Sequence, residues 1–255
     1  MRESARRRRY SALAGTQLMD TLPPSSHWST RIADSTPHPR LDALGDDGFV
    51  SLRPADQDGA AHEVDGLEFI PWRSGGDSAF APLTSANGAL DCGPFWSHGR
   101  ADVDGCWTVN AERSPALRSI VEELGTLGGR VGRARVIRLQ PQGRSEAIAN
   151  MHRDENNRLN PESDGWIVRF WQELSHHPDS YLLLMDRDDT GRPRPDTERR
   201  LPLPLGARTV VDSQRLWHAV VHTGTEPRHA LIVSVRSSDA LDSWIDCRLV
   251  TPAST

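Results

Sequence analysis

Lysine is absent: every one of the 30 positive charges in the 255-residue chain is an arginine. That excludes mechanisms built on a Schiff-base or phosphate-clamping lysine. The three cysteines, Cys92, Cys106 and Cys247, form no Cys-x-x-Cys pair and leave an odd number. A disulfide scaffold is therefore not expected, and a reducing, cytoplasmic setting is. Aromatic residues make up only 6% of the chain, and no apolar run reaches 18 residues, which excludes a membrane-spanning helix. There is no internal repeat, no glycine-rich phosphate loop before a helix and no Gly-x-Ser-x-Gly elbow.

Charge narrows the classes further. Acidic residues number 35, for a net charge of −5, and five of the arginines lie in the first nine residues. The remaining body carries 25 positive against 34 negative charges, which argues against a nucleic-acid surface. The segment after Arg6–Arg9 is too short and polar for the apolar region of an export signal, so residues 1–9 read as a basic tail.

What is present reads as one domain behind an arm. Residues 20–47, rich in Pro, Ser, Asp and His, read as loop, so 1–47 is expected to be tail and arm and 48–255 a single domain. The clearest helix is 114–127, with Ser114 as its cap, Pro115 in the first turn and Gly128-Gly129 after it. Leu117, Ile120, Val121, Leu124 and Leu127 form its apolar face. Short strands are expected at 48–52, 66–70, 131–140, 166–171, 181–186, 207–212, 216–222 and 230–236. The stretches 74–88 and 187–200 read as loops, the second charged and expected to be mobile. Many short strands with turns between them indicate a sandwich or small barrel.

Within that frame, His152-Arg153-Asp154 is a His-x-Asp step, and residues two apart on an extended segment project to one face. One or two such steps are expected by chance among ten histidines and 35 acids. The other, His177-Pro178-Asp179, lies in a turn composition. Downstream, His218 lies in an apolar strand and Arg228 opens the next one, ten residues on. His222 shares a face with His218 and is the rival for its role, though it stands only six residues before Arg228.

From about residue 128 to 237 these pieces resemble an iron(II)- and 2-oxoglutarate-dependent dioxygenase. The resemblance is to the aspartyl/asparaginyl β-hydroxylase-like family, which includes free-proline hydroxylases. It is carried by Arg138-Leu139-Gln140-Pro141-Gln142-Gly143, His152-Arg153-Asp154, Arg169, Trp217-His218-Ala219-Val220 and Arg228. It implies a mostly β fold with flanking helices, a double-stranded β-helix of the cupin or jelly-roll kind, with its barrel core at about 128–237. It also implies His152, Asp154 and His218 as ligands of Fe(II), with 2-oxoglutarate and O₂ as cosubstrates. Arg228 would face the metal cavity and hold the remote carboxylate of 2-oxoglutarate, with Arg169 and Arg138 as further carboxylate-binding candidates.

The implied reaction is hydroxylation of an unactivated C–H bond in an amino acid or amino-acid-derived small molecule, with no nucleic-acid or membrane partner. The alternatives are hydroxylation of a peptide or protein residue, or a cupin-like binding protein without catalysis. A zinc hydrolase on the same three ligands has no general base to support it. Retention of Asp154 argues against a halogenase. The chain departs from the family pattern where Arg169 is followed by Phe170-Trp171 instead of x-His. Trp171 and the segments 155–165 and 187–200 are expected to wall the substrate entrance.

Overall fold

Strands that show opposite characters on their two faces organise the molecule. The computed structural model describes residues 41–55, 59–72, 77–161 and 164–250; the basic tail and residues 20–40 of the arm lie outside them. The first strands are β1 (Phe49–Leu52), β2 (Ile70–Trp72), β3 (Ser78–Pro82), β4 (Thr84–Ser85) and β5 (Cys106–Trp107). Helices α1 (Val109–Arg113) and α2 (Pro115–Gly128) follow, then β6 (Ala134–Leu139) and α3 (Arg144–Ala149). The remainder is β7 (Ile167–Glu173), β8 (Tyr181–Met185), β9 (Arg199–Pro202), β10 (Arg208–Val211), β11 (Trp217–Val221), β12 (Arg228–Arg236) and α4 (Asp239–Asp246).

These strands form a seven-stranded sheet in the order β1-β10-β7-β12-β6-β3-β2 and a three-stranded sheet in the order β11-β8-β9, all neighbours antiparallel. An isolated bridge between His152 and His218 adds the His152 segment to the free side of β11. The chain passes repeatedly from one sheet to the other, which is the winding of a double-stranded β-helix.

Period-two alternation sorts the side chains. Ala134 and Val136 of β6, Val168 and Phe170 of β7, and Leu231, Val233 and Val235 of β12 face outward. They pack on Leu117, Val121 and Leu124 of α2 and on Leu241, Trp244 and Ile245 of α4. The opposite faces supply Ile137, Leu139, Trp171 and Ile232, which meet Leu182, Leu184 and Val220 between the two sheets. Helix α3, with Met151 behind it, covers the far side of the small sheet at Leu183, Met185 and Ala219.

Several expectations are corrected here. The stretch 74–88 carries β3 and β4, and the 187–200 segment ends in β9, paired with β8. That segment is laced by its own bonds: Asp188 Oδ1 accepts from the amides of Thr190 and Arg192, and Arg194 pairs with Asp196. Residues 66–69 are not strand; the strand begins at Ile70. At the start of α2, Ser114 makes no side-chain cap and instead donates to the Asn110 carbonyl. The Glu63 carboxylate accepts from the amides of Ala116 and Leu117 at 2.8 and 2.9 Å, so a distant acid satisfies the orphan donors and meets the positive end of the helix. Gly129, at φ 76°, ends α2 in the left-handed conformation. Next to it, Gly132 runs so close to β12 that a Cβ would lie 1.8 Å from the Ser234 carbonyl oxygen.

Candidate metal centre

Two backbone hydrogen bonds fix the centre before any side chain is considered. The His152 amide donates to the His218 carbonyl at 3.1 Å and the His218 amide to the His152 carbonyl at 2.9 Å. Two residues further on, the Asp154 amide donates to the Ser213 carbonyl at 2.9 Å. The result places ligand atoms of His152, Asp154 and His218 within 4.8 Å of one another. Neither rival histidine joins them: His177 and His222 meet edge-on, and His222 is held by Ser180 and the Glu226 carbonyl.

Both imidazoles are oriented. Nδ1 of His152 lies 3.0 Å from the Asn150 carbonyl and Nδ1 of His218 lies 3.2 Å from the Leu216 carbonyl. A carbonyl only accepts, so each Nδ1 carries the proton and each Nε2 keeps its lone pair for an ion. Burial, and then the neighbouring His152, push His218 down to about 4, which keeps it a neutral ligand at physiological pH. Its ring meets Trp171 edge-on at 5.7 Å.

Asp154 is positioned through one oxygen. Oδ2 accepts from Arg169 Nε at 3.0 Å and from Ser213 Oγ at 2.8 Å, leaving Oδ1 outside those bonds. Burial would raise this carboxyl, but the Arg169 guanidinium, followed by the two histidines and Arg135, outweighs it and holds Asp154 well below the usual carboxylate range. Arg169 is itself buried and bridges to Asp102 at 3.0 Å, while Ser234 Oγ donates to that same Asp102 carboxylate at 2.9 Å.

A cavity lies beside the triad. Its walls are Phe80, Ile137, Leu139, Trp171, Val220 and Ile232, and its polar groups besides the triad are Arg135, Gln142 and Asn150. Trp171 thus takes the wall position expected of it, whereas no described residue of 155–165 or 187–200 lines the cavity.

The three arginines expected to bind a carboxylate have other engagements. Arg169 is spent on Asp102 and Asp154. Arg228 does not line the cavity; its guanidinium is 1% exposed and paired with Glu173, whose carboxyl burial pushes up to about 7 against the pull of that arginine. Arg138 lies on the alternate face of β6, stacked 4.5 Å from the Phe69 ring. Sequence reasoning passed over Arg135, Asp102 and Ser213. Arg135 was within reach, because it continues the Ile137 and Leu139 face of β6 by the same alternation.

No family model matches the sequence, and no curated protein matches it. Among solved structures, the chain is similar to an oxidoreductase of the 2OG-Fe(II) oxygenase family from Burkholderia pseudomallei. Identity is 17%, coverage 77% of this chain and 89% of that one, and the TM-score 0.49. A Pseudomonas putida prolyl-4-hydroxylase matches at 14% identity, over 78% and 97% of the two chains, with a TM-score of 0.44. The α-ketoglutarate-dependent epimerase SnoN of nogalamycin biosynthesis matches at 15% identity, over 77% and 79%, with a TM-score of 0.46. These likenesses assign no residue a role, and the resemblance to the aspartyl/asparaginyl β-hydroxylase-like family is carried by the sequence motifs alone.

Proposed function

We propose that the protein is an Fe(II)- and 2-oxoglutarate-dependent oxygenase that hydroxylates an unactivated C–H bond of an amino-acid-like small molecule. One observation carries this reading: His152, Asp154 and His218 converge at a cavity inside a double-stranded β-helix, each with a ligand atom within 4.8 Å of the others. Two neutral imidazoles and one carboxylate are the donor set that holds Fe(II) on one face and leaves positions for exogenous ligands. The residues present therefore fit the metal.

Bound iron, with 2-oxoglutarate as the reductant of O₂, would supply an oxidant strong enough for a C–H bond, the cosubstrate leaving as succinate and carbon dioxide. The chain's own contribution is positioning. The Asn150 and Leu216 carbonyls hold the imidazole tautomers, and Arg169 and Ser213 hold Asp154 as an anion. Trp171, Val220 and Ile232 give the cavity beside His218 an apolar wall that limits the water competing for it.

The test is anaerobic addition of Fe(II) and 2-oxoglutarate to the full chain, followed by an aerobic screen of amino acids and their derivatives read by succinate release. A weak visible absorption that needs both additions, and succinate formed in proportion to an oxidised amino-acid-like product, is the expected result. Metal binding without 2-oxoglutarate binding would favour a cupin-like binding protein. Turnover confined to peptides would move the substrate class to a protein residue.

A further inference from the structure

The barrel interior holds several buried or half-buried arginines, and the structure separates them by what they are already paired with. Arg169 is held by Asp102 and Asp154. Arg228 is held by Glu173. Arg133 donates to the Cys92 carbonyl at 2.7 Å and is not among the residues lining the cavity. Arg135 lines the cavity with the triad and has no carboxylate partner among the described residues. Its Nε is buried without a hydrogen-bond partner, and its guanidinium rests 4.2 Å from the centre of the Phe80 ring.

Register fixes where this charge stands. Arg135 pairs with Ile232 across β6 and β12, and Ile232 pairs with Trp171 across β12 and β7. Arg135, Ile232 and Trp171 thus form one row over the cavity, and Trp171 in turn touches His218. Burial, and then the like charges of Arg133 and Arg169, press the Arg135 guanidinium well below its ordinary range, a penalty that an anion in the cavity would relieve. Asp154 and Asp102 attract this charge but neither reaches ion-pair distance, and an arginine fork left without a direct acid partner beside a metal-ligand triad can receive a carboxylate.

We propose that Arg135, and not Arg228, receives the distal carboxylate of 2-oxoglutarate. The inference rests on the oxygenase reading above and departs from the position that the spacing after His218 had suggested. Glu173 explains the departure: it neutralises Arg228 within the barrel, so an entering carboxylate would have to displace a buried partner to reach it.

The experiment compares two 2-oxo acids on the anaerobic, Fe(II)-loaded full chain. 2-Oxoglutarate carries the distal carboxylate, and 2-oxobutyrate has the same metal-binding head without it. Affinities are read by calorimetry and by the visible absorption. The unaltered protein should prefer 2-oxoglutarate by about 30-fold or more, the worth of one buried charge-assisted pair. Arg135→Gln should erase that preference by weakening 2-oxoglutarate alone, while the double variant Glu173→Gln/Arg228→Gln should keep it.

A preference undiminished in Arg135→Gln would overturn the assignment, as would its loss in the double variant; a substrate carboxylate at Arg135 is the case in which the preference survives. If Arg135→Gln does not fold, Arg135→Lys decides. It should weaken 2-oxoglutarate but not 2-oxobutyrate, and equal affinities to the unaltered protein would overturn the assignment. Failure of the unaltered chain to bind either acid with Fe(II) would instead remove the oxygenase reading, and this inference with it.

Discussion

Two buried arginine–carboxylate arrangements occupy the inward face of β7, four residues apart, and they differ in what they leave open. At Arg169 the guanidinium serves two acids, Asp102 and Asp154, and ties up only one oxygen of Asp154. At the other end Arg228 and Glu173 meet each other alone, both about 1% exposed, with Glu173 Oε2 and Arg228 Nε left without partners. The same two functional groups thus build an anionic ligand in one place and a closed, neutral plug in the other. Pairing by itself does not mark a functional site; Asp154 lines the cavity with His152 and His218, whereas Arg228 and Glu173 do not line it.

The sharpest break in that comparison comes from the ligands themselves. His152→Ala should abolish metal binding and turnover while leaving thermal stability within a few degrees, because the ring contributes little to the apolar clusters. Metal content after anaerobic loading, measured beside a melting curve, checks both halves. Next in size is Arg169→Met, which strands the buried Asp102 and the half-buried Asp154. A loss of about 3–5 kcal/mol in chemical denaturation is expected, together with weakened metal binding.

At the other end the expectation differs. Arg228→Met alone should cost about 3–5 kcal/mol by leaving Glu173 buried and unpaired, whereas Arg228→Met/Glu173→Leu should fall within about 1 kcal/mol of the unaltered protein. Metal affinity should be unchanged in that double variant. If the double variant loses metal binding, the two ends are coupled and the contrast drawn between them fails.

The smallest effect concerns pH. Burial, and then Arg138, push His229 down to about 4, below the ordinary value near 6.5 of an unfolded chain. The unfolded state therefore takes up a proton first, so the stability from a neutral His229 is present above about pH 6.5 and is lost as pH falls toward 4. His229→Gln should flatten the melting temperature across that window. An unchanged acid limb would show that His229 is not held neutral.

Legibility in the sequence follows the range of each interaction. The apolar face of α2 and the alternation in β7 and β12 are local patterns, and they mark the elements near where they form. The His152/Asp154 step was legible for the same reason, because two residues on one strand face need no knowledge of a partner. The partners of the arginines were not. Choosing between Arg135 and Arg138 depends on which face of β6 points inward, and the fate of Arg228 depends on Glu173, brought beside it by the pairing of Ala230 with Glu173. Helix α3, β3 and β9 were missed because they are short and formed by packing and pairing on distant strands. The Glu63 cap on α2 comes from more than 50 residues away.

The central claim is that His152, Asp154 and His218 together hold one metal ion. Anaerobic calorimetric titration of the full chain with Fe(II), in parallel with His152→Ala and Asp154→Ala, tests it directly. One ion per chain in the unaltered protein and none at the same concentrations in either folded variant is the predicted result. Stoichiometric binding that survives both substitutions, or no binding in the unaltered chain, would contradict it.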